Sequence, residues 1–97
     1  MAAIQSFVEE AFESEFWSVY NNNKQEGLSW LKEFLNEPMD CVLYEYVRNW
    51  ITEFVDGLTL CENFKMAIIC SIDIDSFRDF IFMRLEDEIL EIKDTNP

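Results

Sequence analysis

Asp73, Asp75 and Asp79 come nearest to a chemical motif, because Asp73-Ile-Asp75 matches the opening of a calcium-binding loop. The rest of that loop is missing. No glycine supplies its sharp turn, and Arg84 stands at the twelfth position, where a bidentate glutamate belongs. Capping is the competing use, with Asp75 accepting from the first N–H groups of a helix that starts at Ser76. Other chemistry fares no better. With no histidine in the chain, mechanisms built on imidazole are closed. Gly27 and Gly57 are the only glycines, so no glycine-rich phosphate cradle can form, and no nucleophile elbow occurs. Cys41, Cys61 and Cys70 contain no CxxC pair and argue against zinc; they are expected as small buried hydrophobes in a reducing compartment. The expectation is a protein without catalytic residues, metal or cofactor.

Carboxylates nevertheless dominate the composition: 20 Asp and Glu against 7 Lys and Arg give a net charge of −13 over 97 residues. Such a surface repels phosphate and anionic lipid, so neither nucleic acid nor a membrane is expected as a direct partner. The chain still reads as folded, since 49% hydrophobic and 15% aromatic residues exceed what acidic disordered chains carry. Met1 to Tyr20 contain no basic residue, unlike a secretory signal or a transit peptide. A cytoplasmic protein is expected, in the host cell's cytoplasm if the chain is viral.

Helical periodicity accounts for most of the chain, and with two glycines and two prolines there is little turn chemistry for a sheet. Ile4, Phe7, Val8, Ala11, Phe12, Phe16, Val19 and Tyr20 form one stripe of a first helix, which Asn21 to Asn23 break. A second helix is expected from about Glu26 to Asn36 and a third from Met39 to Asp56, separated by Pro38, with Gly57 as a left-handed C-terminal cap. Thr59 and Glu62 match a capping box opening a fourth helix to about Ser71, apolar enough to be central. Consecutive β-branched residues from Ile68 to Ile74 could also make a strand, but no second strand is available to pair with it. The last helix should run from Ser76 to about Lys93. The expected fold is all-α, a single-domain bundle of about five helices with short connections over residues 1–97 and a frayed tail from about 94.

The acid is concentrated at the two ends. No Lys or Arg precedes Lys24, so Glu9, Glu10, Glu13 and Glu15 stand unneutralised, while Glu86, Asp87, Glu88, Glu91 and Asp94 face only Lys93. The middle is more balanced, with Glu45 and Arg48 one turn apart as a solvated pair. At 100° per residue Trp17 projects away from the apolar stripe beside Glu10 and Glu13, either as an interface anchor or packed on a neighbouring element. Glu15 projects the opposite way, into the stripe, as at an inter-helix rim, beside a basic side chain or at a subunit contact. On the last helix Phe80, Met83 and Leu90 form a second apolar strip, suited either to a homodimer contact or to a neighbouring helix.

In charge, size and helicity, over the whole chain, the sequence resembles the small acidic phage proteins that block restriction or CRISPR effectors, and also nuclease-specific immunity proteins and antitoxins. The charge points to complementarity with a strongly basic protein surface, and with that resemblance it implies a stoichiometric inhibitor that mimics nucleic acid there, with a nuclease effector as the expected partner. Glu10, Glu13, Trp17, Glu86, Asp87, Glu88 and Glu91 are the expected partner-binding residues. The alternatives are a toxin-immunity protein or antitoxin, or a small helical adaptor or regulatory subunit that dimerises through Phe80, Met83 and Leu90.

Overall fold

The computed structural model describes residues 2–36 and 41–95. Six helices follow one another: α1 (Ala2–Asn22), α2 (Lys24–Lys32), α3 (Tyr44–Asp56), α4 (Glu62–Ser71), α5 (Ile74–Arg84) and α6 (Glu86–Thr95). The described residues contain no strand, only an isolated antiparallel bridge between Leu35 and Val42. The fold is therefore the expected all-α bundle, with one helix more than the pattern suggested.

On α1 the stripe narrows to Val8, Phe12 and Phe16, four residues apart and fully buried, while Phe7 is 54% exposed. A single extended residue, Asn23, separates α1 from α2. Its N–H donates to Val19 O, and its side chain accepts from the N–H groups of Gln25 and Glu26, so α2 starts two residues earlier than periodicity alone indicates. The two helices then pack so closely that a Cβ on Gly27 would lie 2.5 Å from Tyr20 Cα. After α2 the chain leaves the helix while still contributing to the core. Phe34 and Leu35 are buried in a turn, and Leu43 N–H donates to Phe34 O at 2.8 Å. Pro38 and Met39 lie outside the described residues, and α3 begins at Tyr44, where it buries Val47, Trp50, Ile51 and Val55.

Several cap expectations are corrected. Gly57 ends α3 in the right-handed region, φ −75° and ψ −11°, its N–H bonding back into the last turn, so no left-handed cap forms. The Thr59 and Glu62 capping box is absent, because α4 begins at Glu62 behind Cys61, which makes no side-chain cap bond. Helix α4 is also not central. Only its Ile68 is buried, while Phe64 and Met66 are 49% and 56% exposed, because α2, α3 and α5 already cover the α1 stripe. Cys61 and Cys70 on this edge are exposed and Cys41 is half-buried, contrary to the buried placement expected of them.

The last predicted helix divides at Leu85, where φ −118° and ψ 27° leave the helical region. Backbone bonds still carry across, from Leu85 N–H to Ile81 O and from Ile89 N–H to Leu85 O. Ile81, Leu85, Ile89 and Ile92 stay buried in succession across the break. It also creates a second helix start occupied by Glu86, Asp87 and Glu88, where the helix dipole favours negative charge. At the centre of the core, the Phe12 ring lies 5.0 Å from those of Trp30, Phe34 and Trp50 and 5.4 Å from Phe77. One aromatic side chain thus joins α1 to α2, the following turn, α3 and α5.

Candidate acidic interface

The three aspartates of the calcium-like pattern serve three separate purposes. Asp73, rather than Asp75, caps α5, accepting from the N–H groups of Asp75 and Ser76 at 3.0 and 3.3 Å. The cap falls two residues early because Ile74 already belongs to the helix. Asp75 instead accepts from the Tyr44 hydroxyl at 2.6 Å, which raises the Tyr44 pKa above its ordinary value. Asp79 pairs with Arg78 at 3.2 Å. Among the described residues no group of His, Cys, Asp or Glu is arranged to hold a metal ion.

Along α1, Glu10 is exposed and makes no ion pair among the described residues. Glu13 is half-buried, accepting from Arg84 Nη1 at 3.1 Å and from Trp17 Nε1 at 3.3 Å. Trp17 is not the protruding side chain its helical projection suggested. It is half-buried, 4.8 Å from the Phe16 ring and 5.1 Å from Tyr20, held over its own helix by the bond to Glu13 one turn earlier. Through Arg84 the α1 face is tied to the end of α5, two residues ahead of Glu86. Glu86 and Asp87 are exposed and Glu88 is half-buried, while Glu91 holds Lys24 Nζ at 2.6 Å. That bond and the Glu91 charge raise the Lys24 pKa and offset a cation placed at the N-terminal end of α2.

The remaining expectations divide. Met83 and Leu90 are 74% and 50% exposed, but Phe80 is half-buried beneath the Arg84 guanidinium, 5.0 Å from the ring centre. Together with the break at Leu85, this interrupts the strip that the sequence drew as continuous. Glu45 and Arg48 form no ion pair among the described residues. Glu15 does stand at an inter-helix rim, where it accepts from Trp50 Nε1 at 3.3 Å instead of from a basic side chain.

Two features were not foreseen. The Gln5 side chain clamps the backbone of Asp73 by accepting from its N–H at 2.9 Å and donating to its carbonyl at 3.1 Å, and it also donates to Glu9 at 2.8 Å. Glu9 is 8% exposed, and its desolvation raises the carboxyl pKa despite the opposing Gln5 bond and Arg84 charge. The second is a cavity of about 440 Å³ among α1, α2 and α3, lined by aromatic rings and by Glu15, Glu33 and Glu53. Contacts 68 residues apart, such as Gln5 to Asp73, leave no periodic signal, and cavities arise only when faces of different helices meet.

No helix among the described residues is long and apolar enough to cross a membrane. Compared with family models, curated proteins and solved structures, the chain matches none at a significant level.

Proposed function

We propose that this protein is a non-enzymatic inhibitor that occupies the basic nucleic-acid-binding surface of another protein, in the manner of anti-CRISPR or anti-restriction proteins that block a nuclease effector. The observation that carries this reading is the set of exposed carboxylates that form no ion pair among the described residues: Glu10 on α1, and Glu86 and Asp87 at the start of α6. Glu13, Glu88 and Glu91 flank them, two already holding a cation that a partner's arginine or lysine could replace. The molecule measures 45 × 26 × 20 Å. A duplex 45 Å long carries about 26 phosphate charges, so a net −13 is about half its linear density, enough to compete for a cationic groove at moderate salt.

The test is competition. A panel of restriction nucleases and RNA-guided effectors is assayed for DNA or guide-RNA binding with and without the protein, then with a Glu10→Lys, Glu86→Lys, Asp87→Lys variant. The wild type should displace nucleic acid from its target, with a potency that falls steeply as salt rises, and the variant should not. Full inhibition by the variant would refute the assigned surface. The alternative, an adaptor that dimerises or receives a helix, draws support from the exposure of Met83 and Leu90 and requires binding that is insensitive to salt.

A further inference from the structure

We propose that the cavity between α1, α2 and α3 is a receptor for a guanidinium group, and that an arginine on a partner's basic surface is its occupant. The walls are aromatic: Trp30, Phe34, Tyr46 and Trp50, with Tyr46 half exposed at the mouth. Three carboxylates, Glu15, Glu33 and Glu53, stand around them, all exposed and none in an ion pair among the described residues. Lys32 and Arg48 belong to the same helices, yet neither lines the cavity. Glu15 is held in place by the Trp50 indole N–H, and Asn49 adds an amide.

Both parts of this arrangement attract a cation. The negative faces of aromatic rings favour positive charge, and the three carboxylates around one opening add negative charge there. They select guanidinium over ammonium because it is planar, stacks on rings, sheds water more readily and directs five in-plane N–H donors towards surrounding oxygens. A volume of about 440 Å³ lies within the range of small-ligand sites and admits one such side chain. A protein-borne arginine is favoured over a free guanidinium compound because the whole molecule, at −13, concentrates polycationic surfaces around it. This inference rests on the reading of the partner as a basic protein. It places one contact away from the acidic surface assigned above.

The experiment follows the indole N–H signals of the intact protein by NMR. Trp30 and Trp50 report on the cavity, and Trp17, bonded to Glu13 on another face, is an internal control. The titrants are N-acetyl-arginine amide, N-acetyl-lysine amide and a short peptide with one arginine flanked by lysines. The expected result is a saturable shift of Trp30 and Trp50 with Trp17 unmoved, at least about tenfold weaker for the lysine amide. The peptide should bind more tightly than the arginine amide. Glu33→Gln with Glu53→Gln should weaken binding about tenfold or more without unfolding the protein, because both side chains are exposed. Equal responses to the arginine and lysine amides, parallel shifts of all three indoles, or full binding by the double variant would overturn the site. Tighter binding of the arginine amide than of the peptide would overturn the protein-borne occupant. Because no nuclease is present, loss of this binding is distinguishable from loss of inhibition. The triple lysine variant at Glu10, Glu86 and Asp87 should retain the indole response, and a lost response there would place binding on the acidic surface instead.

Discussion

Replacing Phe12 by alanine should be among the most destabilising single substitutions in the protein. The ring is fully buried and meets four other aromatic rings, those of Trp30, Phe34, Trp50 and Phe77, from α2, the following turn, α3 and α5. Removing a buried phenylalanine costs about 3–5 kcal/mol, and the edge-on ring contacts place this site towards the upper end. A domain of this length has about 5–15 kcal/mol of total stability. The loss is thus about a fifth of the whole or more, and at about 4–8 °C per kcal/mol the thermal midpoint should fall by at least about 12 °C. Urea unfolding followed by circular dichroism measures the change, with Phe7→Ala as the comparison. Phe7 belongs to the same sequence stripe but is 54% exposed, and its loss should cost no more than about 1 kcal/mol. If Phe12→Ala and Phe7→Ala were destabilised equally, the placement of the core around Phe12 would be wrong.

Other perturbations read other contacts. Gln5→Ala removes two bonds to the Asp73 backbone and should cost about 1–2 kcal/mol in the same urea assay, with accelerated hydrogen exchange at the start of α5. Glu9 holds its proton to a higher pH than in the unfolded chain, so its ionisation opposes folding and stability falls as pH rises through the interval that begins at the ordinary 4.5. Glu9→Gln should therefore raise the thermal midpoint at pH 7 and lose that advantage below about pH 4, and a constant difference across the range would contradict the assignment. Asp73→Ala should cost about 1 kcal/mol through loss of the α5 cap, whereas Asp75→Asn should leave that cap intact.

What could be read from residue order was what a single helix decides by itself. Val8, Phe12 and Phe16, or Val47, Ile51 and Val55, fall inside because their spacing puts them on one side whatever the neighbours are. Assignments failed where a second element decides. Helix α4 looks central by composition, yet Phe64 and Met66 are exposed because the positions around α1 were already filled. Trp17 points away from the stripe of its helix but bends back onto Phe16 and Tyr20 under the pull of Glu13. The break at Leu85 has no proline or glycine to announce it. Its signal is the run Glu86-Asp87-Glu88, which suits a helix start but equally suits the interior of an acidic helix.

The same three-dimensional arrangement sharpens the meaning of the net charge. Three of the chain's seven cations tie one helix to another: Arg84 of α5 to Glu13 of α1, Lys24 of α2 to Glu91 of α6, and Lys65 of α4 to the Asp56 carbonyl that ends α3. Each of these three spans a seam between helices. Half-exposed pairs of this kind contribute little to stability, which rests on the aromatic core. Cohesion and acidity are largely separable: Glu10, Glu86 and Asp87 can be changed without touching a buried ring, with reversal of Glu86 and Asp87 costing only the dipole contribution at the start of α6, about 0.3–1 kcal/mol each. A binding defect in such variants would report on the surface charge itself.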